Sequence, residues 1–130
     1  MSLKYSRQRE AIKSYLCSTK DHPTADTVYM HIRDEYPRIS LGTVYRNLSL
    51  LVDLGEAQRL TDHNGTDHFD ANTNPHVHFV CTDCSHIIDL PMELDPALDA
   101  KAANCFNGEV HGHNMYFYGR CAECKQKVHA

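Results

Sequence analysis

Long hydrophobic runs are absent from this sequence, since no uninterrupted apolar stretch is longer than a few residues. A membrane-spanning helix needs about 20 consecutive apolar residues, so the sequence predicts no such helix. An apolar leader segment is also absent, because Met1-Ser2-Leu3-Lys4-Tyr5 leads directly into charged residues. These absences predict a cytoplasmic protein.

Size and charge exclude further classes of protein. At 130 residues the chain is too short for a large enzyme fold. With 42% hydrophobic and 23% charged residues, it has the composition of a globular protein rather than a disordered or fibrous one. The formal net charge of -4 argues against indiscriminate nucleic-acid binding. Nine of the 13 basic residues nevertheless precede residue 72, which leaves room for a basic face in the first half.

The first half carries the pattern of a winged helix-turn-helix. Apolar residues at helical spacing predict three helices, the third of which begins after Ser40 as its N-cap and stops at Gly55. Two short extended segments flank a turn at Asn64-Gly65 and predict a hairpin. The first two helices are predicted at 7–18 and 24–36, and the extended segments at 57–61 and 67–70.

A polar, turn-forming segment at 72–75 predicts a hinge between two domains. Beyond it, three segments alternate as strands, and a helix with an apolar stripe opens at Asp95 and Pro96. The chain is therefore predicted to be α+β, with a winged-helix DNA-binding domain at 1–71 and a small α/β domain at 76–130. A domain this small usually needs a metal or a partner subunit. The strand segments are 76–81, 87–90 and 109–118.

Four of the six cysteines form two Cys-x-x-Cys pairs, Cys81 with Cys84 and Cys121 with Cys124. Cytoplasmic thiols stay reduced, so paired cysteines there are interpreted first as metal ligands. Four thiolates complete a closed tetrahedral zinc site, which supplies folding free energy that a small domain lacks. The alternatives are a disulfide, unrelated surface pairs or a thioredoxin-like redox centre. The remaining two cysteines are predicted to be buried on helical segments: Cys17 and Cys105.

Histidine and aspartate form a second group of potential metal ligands. His76 and His78 lie two residues apart on a predicted strand, so their imidazoles share one face. Asp70 ends the strand before the hinge, and Asp89 lies on the strand after the first cysteine pair. Imidazoles and carboxylates without thiolate suit iron(II), manganese(II) or zinc(II). Because the chain has 10 histidines, surface histidines on a polar strand are the alternative interpretation.

Six short motifs occur along the chain in an order that is highly specific. They are His22-Pro23-Thr24-Ala25-Asp26, Ile39-Ser40, Thr43-Val44-Tyr45-Arg46-Asn47-Leu48, His68-Phe69-Asp70, His76-Val77-His78 and Tyr118-Gly119-Arg120-Cys121. With these motifs the sequence resembles the ferric uptake regulator (Fur) family, from about Tyr5 to Cys124. The resemblance implies a homodimeric, metal-responsive transcription repressor with an N-terminal winged helix and a C-terminal dimerisation domain.

Within that family, the sequence is most similar to the peroxide-sensing PerR branch. That branch holds its regulatory iron(II) or manganese(II) with three histidines and two aspartates, whereas iron-sensing members generally carry glutamate at the acidic positions. The resemblance implies that peroxide is sensed when bound iron promotes oxidation of a ligand, with His22 and His76 matching the susceptible histidines. An iron- or zinc-responsive repressor of metal uptake genes is the alternative. The implied regulatory ligands are His22, Asp70, His76, His78 and Asp89.

The implied ligands lie on both sides of the hinge, so a metal that binds all five would hold the two halves in one orientation. In a homodimer, this orientation sets the spacing of two recognition helices on a palindromic operator in double-stranded DNA. Arg46 is the candidate for reading bases, and Tyr45 for contact with thymine methyls or a phosphate. The candidates for positioning the phosphate backbone are Lys4, Ser40, Thr43 and Arg59.

Two other classes of function compete with a repressor. A hydrolytic metalloenzyme needs a general acid or base beside an open metal position, and the sequence has no His-Glu-x-x-His arrangement. A zinc-stabilised module could instead bind protein rather than DNA. Peroxide sensing would modify the protein itself, so the chain is predicted not to be an enzyme. Neither an organic cofactor nor a membrane partner is expected.

Overall fold

The computed structural model describes residues 6–74 and 76–127 and confirms the predicted α+β class. Lys4 lies outside the described residues. The helices are α1 (Arg7–Ser18), α2 (Ala25–Ile32), α3 (Leu41–Asp53), α4 (Pro96–Ala103) and α5 (Ala122–Gln126). The strands are β1 (Gln58–Thr61), β2 (Asp67–Asp70), β3 (Val77–Cys81), β4 (Ile87–Leu90) and β5 (Met115–Gly119). None of the helices in the described ranges has the length and apolarity needed to cross a bilayer.

Side-chain caps fix where the first three helices begin. Ser6, Thr24 and Ser40 each accept a hydrogen bond from the backbone amide three residues further on. Each cap satisfies one of the donors that a helix start leaves unpaired. At the other end of α3, Gly55 adopts a φ of +75°, and its amide and the next one donate back to carbonyls of the last turn. The predicted start and stop of α3 are therefore confirmed.

Two elements are shorter than their sequence patterns predict. The second helix ends at Ile32 rather than at residue 36, because the chain turns at 33–35. Tyr36 still packs against the core, which explains why the apolar spacing continues beyond the helix. β5 begins at Met115 rather than at residue 109, because it pairs only along the five residues of β3. The short helix α5 has no counterpart among the predicted elements.

One apolar core holds the first three helices and the β1–β2 hairpin together. Its fully buried members include Ile12 of α1, Val28 of α2, Leu48 of α3 and Phe69 of β2. Fully burying a side chain of this kind contributes roughly 1.5–3 kcal/mol. This packing fixes α3 against the hairpin and leaves the opposite face of α3 exposed. The first half thus has the predicted winged-helix arrangement.

The second sheet has the strand order β4-β3-β5, with β4 antiparallel and β5 parallel to β3. Its small core joins Val80 and Ile87 to Leu60 of the hairpin, so the sheet packs against the first half. By contrast, α4 buries none of its residues, and Leu98 and Phe106 of its predicted stripe are exposed. Within residues 6–74 and 76–127, no element therefore covers the apolar stripe of α4.

The prediction that Cys17 and Cys105 are buried is wrong, because both are exposed. Ile12 and Leu16 form the buried face of α1, and Cys17 lies outside that face. Cys105 follows α4, whose apolar stripe has no core to pack against. The domain boundary at 72–75 stays a prediction.

Candidate metal centres and nucleic-acid interface

The two Cys-x-x-Cys pairs meet at one point of the structure. The chain reaches Cys81 and Cys84 at the end of β3, and Cys121 and Cys124 at the start of α5. All four sulfur atoms lie within 4.8 Å of one another. The Cys84 and Cys121 sulfurs are 3.8 Å apart, whereas a disulfide bond measures about 2.05 Å. Tetrahedral zinc bonds of about 2.3 Å would place sulfurs about 3.8 Å apart, so the geometry fits zinc.

Backbone amides make one of these thiols unusually acidic. The amides of Cys84 and Cys121 each donate to the Cys81 sulfur at 3.4 Å. Burial alone would raise the pKa of Cys81, but these amides and that of Asp83 lower it to about 6. Contact with Cys121 and burial raise the pKa of Cys124 to about 12. Four thiols this close cannot all ionise without a cation, which is the property expected of a zinc site.

The proposed regulatory ligands come together from four places in the chain. His22 lies in the loop between α1 and α2, and Asp70 ends β2. His78 and Asp89 are directly opposite each other in the antiparallel β3–β4 ladder, so they share a face of the sheet. Ligand atoms of these four residues all lie within 4.8 Å of one another. His76, just before β3, is the fifth residue of the cluster.

Asp89 and Asp70 are the centre of this His/Asp cluster. Asp89 Oδ1 lies 2.8 Å from His22 Nε2 and 3.1 Å from His76 Nε2. Asp70 Oδ2 lies 3.1 Å from His76 Nε2 and 3.6 Å from His78 Nε2. Because His22 and Asp70 belong to the first half, these contacts join the two halves. The structure thus brings together all five predicted regulatory residues.

Two of the imidazoles direct their Nε2 atoms to the place where a metal ion would bind. His76 Nδ1 lies 2.6 Å from the Asn74 carbonyl oxygen, which can only accept, so Nδ1 donates to it and Nε2 is the nitrogen directed at Asp70 and Asp89, where a metal ion would bind. His78 Nε2 is buried and has no hydrogen-bond partner among the described residues. A buried unpaired nitrogen is costly. A metal ion coordinated by this nitrogen would remove that cost, so the residues present fit a bound cation.

Asp70 is held in its charged form. Burial would raise the pKa of this carboxyl group, but contact with His78, the Asn72 amide and the nearby His22 and His76 rings lower it below its usual range. The Asn72 amide donates to Asp70 Oδ1 at 2.9 Å, which leaves Oδ2 directed toward the histidines. A carboxylate that stays ionised in a buried site is suited to bind a divalent cation.

A small cavity lies beside the His/Asp cluster. Its volume is about 200 Å³, and His22, Asp70 and Asp89 form part of its wall. Cys17 and Lys20, from the end of α1 and the following loop, line it as well. The cavity is large enough for small molecules such as water or hydrogen peroxide to reach the cluster.

Two buried residues of this region were not singled out as functional by sequence reasoning. The ring of His68 lies 2.7 Å from the carbonyl oxygen of His22 and 2.7 Å from the carboxylate of Asp62. Both side chains are at least nine-tenths buried. A signal existed for His68, because it precedes Asp70 by two residues on a strand and so shares its face. No functional signal for Asp62 was present in the sequence, since an aspartate before Asn64-Gly65 is typical of a turn.

The predicted DNA-contacting residues of α3 lie at its exposed start. Ser40 caps the helix through the Thr43 amide, and the two hydroxyls are 2.9 Å apart. Arg46 is exposed, and its guanidinium donates to the Thr43 hydroxyl at 3.0 Å. The positive charge of Arg46 therefore lies on the outer surface of the helix, next to two hydroxyl groups.

Tyr45 and Arg59 are less free than the sequence suggests. The Tyr45 hydroxyl donates to Asp67 at 3.3 Å, and the Arg59 guanidinium lies 3.4 Å from the same carboxylate. Arg59 also donates to Ser49 at 3.0 Å. To contact a phosphate, Arg59 has to exchange these partners for it. Of the charged candidates within residues 6–74 and 76–127, Arg46 donates to a neutral hydroxyl, whereas Arg59 pairs with a carboxylate.

Comparisons with known proteins agree with the resemblance. The model of the ferric uptake regulator family matches residues 1–118. The peroxide-responsive repressor PerR of Staphylococcus aureus is 35% identical over 125 residues, which cover 96% of this chain and 84% of that protein. The crystal structure of the Campylobacter jejuni peroxide stress regulator is similar, with a TM-score of 0.73 and 29% identity over 90% of this chain and 88% of that one. The Helicobacter pylori ferric uptake regulator Fur shares the fold, with a TM-score of 0.81 at 24% identity over 98% of this chain and 85% of that one.

Proposed function

This chain belongs to the ferric uptake regulator family, and we propose that it is the peroxide-responsive repressor type of that family. It is a metal-dependent transcriptional regulator that binds DNA as a dimer, and it is not an enzyme. The observation that carries the proposal is the His/Asp cluster, in which both acidic residues are aspartates. We place the chain in the cytoplasm, where a bacterial repressor meets its operator.

The two clusters would bind different metals. Cys81, Cys84, Cys121 and Cys124 would hold a structural zinc ion, and the five His/Asp residues would hold iron(II) or manganese(II). Bound iron(II) supplies the reducing power toward peroxide, which manganese(II) lacks. The ligands of either metal in this chain would be three histidines and two aspartates. The cavity beside His22 and Asp89 gives a small oxidant access to them.

The ligand residues connect the two halves of the chain. His22 and Asp70 move with the winged helix, whereas His76, His78 and Asp89 move with the second sheet. Ionised Asp70 and the imidazole nitrogens face one another across this junction at 3.1–3.6 Å. Coordination of one cation by all five would favour the orientation in which they converge, by the excess of its affinity for that state. Loss of one ligand would release that orientation and the DNA.

The dimer places two copies of α3 on one operator, which we propose to be palindromic. β5 is the natural contact, because it is an edge strand of its sheet and has one side unpaired among the described residues. Its three aromatic residues, Tyr116, Phe117 and Tyr118, are 42%, 42% and 82% exposed. The uncovered stripe of α4 lies in the same half of the chain. A second copy would cover these apolar surfaces.

Anaerobic titration of a palindromic operator DNA tests the function. We compare the zinc-only protein with protein loaded with iron(II) or manganese(II), before and after brief exposure to peroxide. Either metal is expected to raise DNA affinity at least about tenfold, within the usual range of allosteric coupling. Peroxide is expected to abolish binding only in the iron form and to add one oxygen to a peptide containing His22 or His76. Iron-dependent binding that survives peroxide would indicate iron sensing, and binding that ignores metal would contradict the proposal.

Arg46→Ala tests the recognition helix. A bidentate contact from arginine to a base contributes about 1–3 kcal/mol, so the operator affinity is expected to fall roughly 5- to 150-fold. Fluorescence anisotropy with operator and scrambled DNA measures this loss, which is expected to be larger for the operator. Lys125→Ala on α5 is the control, because it removes the same charge far along the chain from α3. Equal losses for the two variants would refute a specific role of Arg46.

A further inference from the structure

A chain of buried hydrogen bonds leads from the β1–β2 turn to the backbone of His22. The backbone amides of Asn64 and Thr66 donate to Asp62 Oδ1 at 2.8 and 3.0 Å. The other oxygen of Asp62 contacts His68 Nε2 at 2.7 Å, and His68 Nδ1 contacts the His22 carbonyl oxygen at 2.7 Å. A carbonyl can only accept, so His68 Nδ1 donates to His22, and His68 Nε2 faces the Asp62 carboxylate. The ring is therefore fixed at both ends.

The loop that carries His22 has a conformation that needs such support. The φ of His22 is +49°, in the left-handed region that side chains other than glycine rarely adopt. The next two residues are attached to the same strand, since the Phe69 amide donates to the Pro23 carbonyl at 2.9 Å and Thr24 forms a bridge with His68. All three consecutive residues of the loop are therefore held by β2. The same strand ends in Asp70.

We propose that Asp62 and His68 are a positioning pair that holds His22 in place for the regulatory metal. The inference rests on the proposed function, because it concerns the same metal centre. His68 fixes the peptide unit of His22, and the direction of the His22 side chain follows from its backbone. His22 Nε2 then lies 2.8 Å from Asp89 and its ring is 98% buried. Neither Asp62 nor His68 contacts the metal ligand atoms; each acts through the main chain.

His68→Phe tests the pair, because phenylalanine keeps an aromatic ring but neither hydrogen bond. In the zinc-containing protein of 130 residues, the dissociation constant for Mn²⁺ is measured by electron paramagnetic resonance of the free ion. Loss of an outer-shell partner typically lowers metal affinity 10- to 100-fold, and we expect a loss in this range. Zinc content, dimer mass and the melting temperature of the manganese-free protein are measured in parallel. Unchanged Mn²⁺ affinity would overturn the proposal.

Asp62 variants separate positioning from general destabilisation and from charge. Asp62→Asn keeps every contact, because the asparagine oxygen accepts the two amides and its NH₂ group donates to an unprotonated His68 Nε2, while Nδ1 still donates to the His22 carbonyl; its Mn²⁺ affinity is expected to stay within about threefold of wild type. Asp62→Ala frees the ring and is expected to weaken Mn²⁺ binding at least about fivefold, even if His68→Phe fails to fold. Equal losses in the two Asp62 variants would overturn positioning. If the wild type itself fails to bind Mn²⁺, the proposed function fails instead.

Discussion

Replacing Cys81 with serine is expected to release the structural zinc and unfold the second half of the chain. Cys81 is fully buried, and two backbone amides support its negative charge at 3.4 Å. Its pKa of about 6 makes it the thiol that ionises most readily, so it is the natural first ligand of the incoming ion. A serine hydroxyl is a poor substitute for a thiolate ligand of zinc.

The size of the effect follows from how little else holds the second half together. Among the described residues, the buried apolar cluster of the second half joins Val80 and Ile87 to Leu60 of the hairpin, and Val77 is a further fully buried aliphatic side chain. Structural zinc binding contributes apparent free energies of about 10–16 kcal/mol in small zinc domains, comparable to the total stability of a domain. The first half has its own larger core. We therefore expect the helices of the first half to persist when the sheet is lost.

Zinc stoichiometry, light scattering and circular dichroism measure this outcome. Cys81→Ser is expected to contain no zinc, to be monomeric and to keep a reduced helical signal. Cys17→Ser and Cys105→Ser are matched controls, because both thiols are exposed and lie outside the cluster; they are expected to match the wild type. A dimeric Cys81→Ser variant with one zinc ion per chain would show that the four cysteines are not the structural site.

The limits of the helices and strands were predictable where local chemistry sets them. Ser40 begins α3 as its N-cap, and Gly55 ends it in a left-handed backbone conformation. Both roles are typical of these residue types. The limits that depend on neighbouring elements were not predictable. β5 is short because its partner β3 is short. The apolar pattern of α2 continues to Tyr36, beyond the end of the helix, because Tyr36 packs on the core. Sequence periodicity reports which residues are buried, not where backbone hydrogen bonds stop.

In the candidate site, too, the residue types were predictable from the sequence, whereas their arrangement in space was not. Ligand residue types and the two-residue spacing of His76 and His78 point to a metal, but their convergence with His22 depends on how a loop of the first half packs beside the second sheet. The left-handed backbone of His22 and its support by His68 are tertiary features. Residues that act through the main chain of another residue carry no ligand pattern in the sequence.

Asp89→Ala is expected to abolish metal-dependent DNA binding while leaving zinc and the dimer intact. Asp89 lies on β4 in the second half, yet its nearest cluster contact is His22 of the first half at 2.8 Å. Its Oδ1 also lies 3.1 Å from His76 and 3.4 Å from His78. Removing it takes away one of two carboxylate ligands and the shortest contact between the two halves within the cluster. We expect the regulatory affinity for Mn²⁺ to fall at least about 100-fold.

That loss is enough to cancel the regulation. A ligand present at 100 times its dissociation constant stabilises the state that it binds by about 2.7 kcal/mol, and a 100-fold weaker affinity reduces this to about 0.4 kcal/mol. DNA titration with and without Mn²⁺ therefore should show nearly the same weak affinity for Asp89→Ala. Glu93→Ala is the control, since it removes an exposed carboxylate four residues further along the chain. If Asp89→Ala keeps the Mn²⁺ dependence of the wild type, the metal does not act by joining the two halves through Asp89.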